Sequence, residues 1–406
     1  MKRSFYLLVL LLALSLLACK KEDFVVKESG NVLPEYVAAY EAWLDLPPLF
    51  LPYQTQLPNY LKVAGLTPRP ASDAKATLGR VLFYDKNLSA DRSISCASCH
   101  KQAKAFSDNV AFSTGIAGLK GSRNAMPIAN VASFSAHYSL LAAEHPLLLW
   151  DNRASTVAEQ SKLAFLNDHE MGMTMEQVAG RIREQSYYPY LWNQIYGDFE
   201  VTEEKVLECL NEFVGAIGSH QSRFDEALER VSGDINFSSS DTVILTIYTG
   251  TDTTFVSGGL PGFNQSENRG RDIFVANCSK CHSPIRPFQE VFEACNGLDL
   301  VYPDQGIGQI TGNPAQNGVF KAPSLRNIAF TAPYMHDGRF NTLEEVVDFY
   351  STGVKDHPNL HPLMRHDGKI HLDLTHQEKQ DLVAFLHTLS DPLTLTDKRF
   401  SNPFKK

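Results

Sequence analysis

Two runs of one pattern, Cys96-Ala-Ser-Cys99-His100 and Cys278-Ser-Lys-Cys281-His282, hold the residues best equipped for chemistry in this chain. Each reads as a covalent haem-attachment site: two thiols can form thioethers to a porphyrin, and the histidine that follows can reach the iron as proximal ligand. Two haems on one chain imply electron traffic. The alternative is zinc or disulfides at the same thiols, since two Cys-x-x-Cys knuckles can supply four ligands to a tetrahedral metal. That alternative leaves the histidine after each pair without a role.

Helices must position these motifs. Gly79-Arg80-Val81-Leu82-Phe83 reads as a helical approach to the first motif, and Gly270-Arg271-Asp272-Ile273-Phe274 repeats its logic before the second, a weak internal duplication. The stretch 155–230 is helical with short breaks, for example from Thr202 to Leu228. Capping boxes at Thr342 with Glu345 and at Thr375 with Glu378 start two more helices, the first running to Tyr350. The second carries Leu382, Phe385, Leu386 and Leu389 as one apolar stripe. The expected class is mainly α, with two cytochrome c-like haem domains and few short strands.

The expected organisation is a lipoprotein-type signal peptide (1–18), a tether and N-terminal wrapping segment (19–70), an N-terminal haem domain (71–230), a linker or insertion (231–268), a C-terminal haem domain (269–395) and a tail (396–406). Lys2 and Arg3 precede an apolar run from Phe5 to Leu17, too short to span a bilayer comfortably but suited to a signal peptide. The run closes on Leu16-Leu17-Ala18-Cys19, which resembles a bacterial lipoprotein processing site with Cys19 as the lipidated residue. An ordinary cleaved signal with an incidental cysteine is the alternative. Either reading places the protein outside the cytoplasm, in the periplasm, with the membrane touched only through an N-terminal lipid anchor. The linker is rich in Ser, Thr, Gly and Asp and holds one β-prone run, Val243–Tyr248.

The formal charge of -9 argues against nucleic acid as a partner. Of the seven cysteines, Cys209 and Cys295 are left once Cys19 and the motif thiols are assigned. Cys209 falls in a helical pattern with Val206, Leu210, Phe213 and Ile217, so it reads as a buried thiol, and a Cys209–Cys295 bridge is disfavoured.

The chain resembles the bacterial di-haem cytochrome c peroxidase family, which includes the MauG-type enzymes, over roughly Leu78 to Leu389. The resemblance rests on Leu82-Phe83-Tyr84-Asp85, Leu88-Ser89, Ile94-Ser95-Cys96, Arg123-Asn124-Ala125, Trp150-Asp151-Asn152-Arg153-Ala154, Glu170-Met171, Lys321 to Asn327 and Thr331 to Phe340. It implies that peroxide binds at the haem on Cys96, Cys99 and His100, with Gln160 and Glu170 on its distal side. Trp150 matches the family's tryptophan between the haems. Asn124, Thr331 and Pro333 match an inter-haem calcium site, the last two through backbone carbonyls. The second haem, on Cys278, Cys281 and His282, resembles the electron-transfer haem, and family members are often homodimers.

Two departures follow from the same resemblance. Many family peroxidases have methionine where this chain has Tyr350, whereas MauG-type members have tyrosine; Met335 and Met364 are alternative ligands. Many also have a distal histidine in the loop that here reads Ser113-Thr114-Gly115-Ile116-Ala117-Gly118, so the first haem is expected to be open or water-bound. His137 could substitute only if the loop runs differently. The expected function is reduction of hydrogen peroxide to water with electrons from a small redox protein, a cytochrome c or a copper protein. The alternatives are a MauG-like oxidase of a protein or organic substrate and a non-enzymatic di-haem electron carrier.

Overall fold

Side-chain caps set where many of the helices begin. In the computed structural model, which describes residues 33–47, 50–63, 67–131, 134–135, 148–234, 259–282, 291–365 and 368–405, helices run over Pro34–Trp43 (α1), Asn59–Val63 (α2), Asp73–Tyr84 (α3), Cys96–Cys99 (α4), Val157–Leu166 (α5), Met175–Glu184 (α6), Tyr188–Tyr196 (α7) and Glu203–Ala216 (α8). The chain continues with Arg223–Asp234 (α9), Gln265–Asn277 (α10), Ile307–Thr311 (α11), Leu343–Asp348 (α12) and His376–His387 (α13). Thr156, Thr174, Thr342 and Thr375 each form a reciprocal capping box with a Glu or Gln three residues on. Both boxes expected in the second half are therefore present. The strands are two residues long: Thr67–Pro68 pairs antiparallel with Phe134–Ser135, and Glu293–Ala294 with Phe320–Lys321. The protein is mainly helical with few strands.

Two helix crossings carry the architecture. In α3 and α8, a Cβ added at Gly79 would lie 1.9 Å from the backbone oxygen of Cys209, so only glycine allows this approach. In α10 and α13, a Cβ added at Gly270 would lie 1.8 Å from the backbone oxygen of Asp381. Beside each crossing an aromatic pair packs, Phe83 on Phe213 at 5.2 Å and Phe274 on Phe385 at 5.0 Å between ring centroids. The duplication read from the two Gly-Arg segments is thus a repeated packing device.

Among the described residues three apolar clusters form the core. The first gathers Leu78, Leu82, Phe213 and Phe400, the second Phe224, Phe274, Leu343 and Phe385, and the third Cys295, Tyr302, Phe320, Phe349 and Leu360. Burying each such large side chain contributes about 1.5–3 kcal/mol. Cys209 and Cys295 are both free and lie in different clusters, so no bridge joins them.

The structure departs from the sequence expectation at several boundaries. Within the segment read as tether and wrap, Pro34–Trp43 forms α1, none of whose residues is fully buried, so its apolar period is weak. The C-terminal tail packs on the first cluster: Tyr53 Oη donates to the Arg399 carbonyl at 2.9 Å, Tyr84 Oη to Phe400 at 2.6 Å and Arg80 Nε to Ser401 at 2.6 Å. The helical stretch Thr202–Leu228 holds the short break its pattern allowed, between α8 and α9, but α10 begins inside the segment read as linker. The leader with Cys19, His137 and Val243–Tyr248 lie outside the described residues. Among the described residues no helix is long and apolar enough to cross a membrane.

A buried ion pair ties α9 to Arg326. Arg326 Nη1 donates to both carboxylate oxygens of Asp225 at 2.9 Å, and the Tyr60 hydroxyl donates to the same carboxylate. Burial opposes the charge on Asp225, but the Arg326 guanidinium together with His220 and the hydrogen bonds from Ser222 and Tyr60 outweighs it and holds the carboxyl below its usual range. Next to it, Asn327 Nδ2 donates to Ser219 Oγ at 3.0 Å and its Oδ1 accepts from the Asp391 N–H at 2.8 Å.

Candidate functional site

Both motifs fold as one helical turn, and the turn explains their spacing. His100 N–H donates to the Cys96 carbonyl and His282 N–H to the Cys278 carbonyl, each at 2.9 Å. Residues four apart on a turn share a face, so the first thiol and the histidine of each motif stand together. The rings are oriented alike. His100 Nδ1 lies 3.0 Å from the Phe106 carbonyl and His282 Nδ1 2.9 Å from the Pro323 carbonyl. A carbonyl only accepts, so each ring donates through Nδ1 and carries its lone pair on Nε2, the tautomer a haem iron requires.

The second motif opens on a cavity of about 210 Å³ lined by Cys278, Cys281 and His282 and walled by apolar side chains such as Phe274, Leu325 and Leu386. Tyr350, Met335 and Met364 line the same cavity. Asn296 Nδ2 donates to Tyr350 Oη at 3.3 Å and approaches Met335 Sδ at 3.9 Å, so the tyrosine and one alternative ligand share a neighbour. Tyr350 sits where the helix from Thr342 relaxes into a π-helical turn, Phe349–Gly353, a distortion that often marks functional positions. Met335 is held at φ +72°, an unusual conformation for a residue with a side chain. Burial pushes the Tyr350 phenol up to about 12 and the Cys278 thiol up to about 12.

The first motif faces Glu170. Both Cys96 and Cys99 feel its charge, although burial is the main cause that raises both thiols. Burial also raises the Glu170 carboxyl against the lowering effects of Asn167, which donates to Oε1 at 2.8 Å, and of Arg153. The histidine-free loop pins this residue from behind. Ile116 N–H donates to the Glu170 carbonyl at 3.1 Å, and a Cβ at Gly115 would lie 1.9 Å from the His169 oxygen. Gln160 lies on α5, one turn before Ala164, whose carbonyl accepts from Met171 N–H at 3.3 Å.

A polar seam lies between the motifs. Met126 approaches the His100 ring through its backbone and also lines the second cavity. Trp150 lines that cavity too; its Nε1 donates to the Asn124 carbonyl at 2.8 Å, and its ring meets His336 edge-on at 6.5 Å. Arg123 clamps Asp304 with two bonds of 2.6 and 2.7 Å and donates to Asp151 at 2.5 Å. This clamp ties the segment before Asn124 to the residue after Trp150.

Among the described residues no group of three or more His, Cys, Asp or Glu side chains converges as a metal site, so the four motif thiols do not form one zinc cage. Each donor set, two thiols and an Nε2-presenting histidine, fits covalent haem instead. Known proteins point the same way. Residues 73–232 match the family model described as di-haem cytochrome c peroxidase. The cytochrome-c peroxidase IdrP1 of Pseudomonas sp. (strain SCT) is 30% identical over 366 residues, which cover 81% of this chain and 84% of that protein. The chain belongs to the di-haem cytochrome c peroxidase and MauG family. The methylamine utilization protein MauG of Methylophilus methylotrophus is 27% identical over 328 residues, 79% of this chain and 83% of its own. A solved MauG-like protein associated with microbial copper homeostasis superposes with a TM-score of 0.64 at 29% identity, covering 88% of this chain and 98% of that one.

Family membership implies covalently bound haems at the two motifs. Asn124, Thr331 and Pro333 all line the second cavity, and Asn124 spends its Nδ2 on the Val110 carbonyl at 3.1 Å, which leaves Oδ1 as its oxygen donor. An oxygen donor of that kind fits a hard cation such as calcium. Asn296, Phe320 and His336 were not legible as site residues, because none lies in a spacing that signals chemistry. They reach the cavity through the pairing of Glu293–Ala294 with Phe320–Lys321 and the turn after Pro333.

Proposed function

We propose that this chain is a di-haem peroxidase that reduces hydrogen peroxide to water in the periplasm, with electrons delivered singly by a cytochrome c or a copper protein. Electrons enter at the haem on Cys278, Cys281 and His282 and pass by way of Trp150 to the haem on Cys96, Cys99 and His100. Glu170 carries this reading: it is a carboxyl with a raised affinity for protons, close enough to both thiols of the first motif to act on them electrostatically. The haems, when bound, supply the redox chemistry. Splitting the O–O bond toward water needs a proton moved from the near to the far oxygen, and Glu170 can take it and return it. Gln160 orients the peroxide by hydrogen bonds, and the partly buried Asn167 contact keeps Glu170 from swinging away.

The same reading divides the molecule into two cytochrome c-like domains, 71–230 and 269–395. Asn124 Oδ1 and the carbonyls of Thr331 and Pro333 would hold calcium between them, and the Leu16–Cys19 sequence supports a lipid tether. Steady-state peroxide turnover of fully haem-loaded protein with a reduced cytochrome or copper-protein donor tests the proposal. Turnover that Glu170→Gln removes is the expected result, and no turnover at all would overturn it.

A MauG-like oxidase of a protein or organic substrate is the second reading. The position of Tyr350 on the wall of the second cavity favours it, because a phenolate ligand would stabilise ferric iron and lower the potential relative to a thioether. Replacing Tyr350 by Met should shift the potential of the second haem at unchanged haem content; an unchanged spectrum argues against tyrosine ligation.

A further inference from the structure

Asn296 stands where two candidate sixth ligands of the second haem meet. Its Nδ2 lies 3.3 Å from Tyr350 Oη and 3.9 Å from Met335 Sδ, and all three side chains line the cavity of the second motif. The other end of the amide fixes its orientation. Leu298 N–H donates to Asn296 Oδ1 at 3.2 Å, so the oxygen is engaged there and the Nδ2 hydrogens are left to face the two ligands.

The backbone is anchored on both sides of this residue. His361 N–H donates to the Cys295 carbonyl at 3.0 Å, and Lys355 N–H donates to the Gly297 carbonyl at 2.7 Å. Gly297 itself is held at φ +70°, and a Cβ there would lie 2.5 Å from the Lys355 backbone oxygen, so only glycine lets the two segments approach this closely. The donor is therefore in place before a ligand is chosen, as the outer partners of metal ligands commonly are.

Chemistry ranks the two acceptors. A phenol that coordinates iron releases its proton to solvent and presents an anionic oxygen, and an amide hydrogen bond to that oxygen is charge-assisted. A thioether coordinates as neutral sulfur, which is a weak acceptor. Met335 also stands farther from the donor.

We propose that Asn296 is a positioning residue that commits the second haem to Tyr350 as its sixth ligand, with Met335 held in reserve beside the same donor. This rests on tyrosine ligation in the MauG-like reading above. Removing the donor takes away the advantage of the phenolate and leaves the position to Met335, whose thioether raises the potential of this haem.

The test is resonance Raman and optical spectroscopy of the oxidised, haem-loaded protein, with a redox titration of the second haem. Wild type should show phenolate-to-iron charge transfer with phenolate ring modes. Asn296→Asp keeps an acceptor for the Leu298 N–H but loses the donor, and Asn296→Leu loses the donor without adding charge. Both, at equal haem content, should lose the phenolate modes, gain the far-red sulfur-to-iron band and shift the potential upward. Adding Met335→Leu to either should bring the phenolate modes back, because the reserve ligand is then gone. Phenolate modes that persist in Asn296→Leu, or a sulfur band that survives Met335→Leu, overturn the proposal while tyrosine ligation stands. Wild-type protein without phenolate modes refutes the ligation itself, and the role of Asn296 with it.

Discussion

The crossings at Gly79 and Gly270 are built alike, yet they serve haem motifs with different surroundings. In each, a glycine meets a backbone carbonyl and a phenylalanine one turn further along the partner helix packs beside it. Beyond that the halves diverge. Cys278 caps the end of α10 directly, whereas Cys96 comes after an intervening loop that follows α3. Arg80 finds Ser401 from the C-terminal segment, while Arg271 bonds only Asp272 and its buried Nη1 has no partner among the described residues. The first motif faces a carboxyl and the second a phenol. A shared crossing therefore sets where a haem can attach, and the chain returning over it sets what the open side can do.

Removing the thiols of one motif separates the halves most sharply. Cys96→Ala with Cys99→Ala, and Cys278→Ala with Cys281→Ala, should each lower the mass of the mature protein by one haem and abolish peroxide turnover. Mass spectrometry and steady-state assay check both; loss of both haems from one double variant would mean the two sites assemble together. Next in size is Glu170→Gln, expected to cut peroxide turnover by roughly 10²–10⁴-fold while leaving the second haem's spectrum unchanged.

Asp225→Asn strikes the buried ion pair with Arg326. It leaves Arg326 buried without its counter-charge and should cost about 3–5 kcal/mol in chemical denaturation. The pH dependence has a definite sign. Because the folded-state pKa of Asp225 is lowered, its contribution is complete above the ordinary carboxylate range and is lost as pH falls through the folded value. Wild-type stability should therefore drop with acid more steeply than that of Asp225→Asn.

Gly79→Ala and Gly270→Ala test the equivalence of the crossings directly. Each forces two backbones apart and should cost about 1–3 kcal/mol or more in thermal unfolding, and unequal losses would break the parallel. The smallest effect belongs to Ser401→Ala, which removes the 3.2 Å bond from Arg80 Nη2 to the Ser401 hydroxyl and should cost about 0.5–1.5 kcal/mol, measurable by denaturant titration.

Much of the helical layout could be read from the chain because it is written in local signals. The boxes at Thr342 and Thr375 need only residues three apart, and the stripe on α13 needs only one helix face. The haem motifs are equally local, since one turn of backbone brings the thiol and histidine together. α1 was not legible for the converse reason: none of its residues is fully buried, so its apolar period is too weak to mark a helix within the segment read as tether and wrap. Gln160, Glu170 and Trp150 carried no chemical signal of their own and were singled out by resemblance alone.

The amino-acid order by itself determined two thiol–histidine motifs and the repeated Gly-Arg helices that lead to them, because each depends on neighbours within a turn. Only the folded chain decided that Met126 would stand between the motifs, that Tyr350 and Met335 would share Asn296, and that Cys295, Tyr302 and His357 would meet in one buried cluster. Those contacts join residues far apart in sequence. Their geometry is set by how whole elements pack, and no local spacing encodes it.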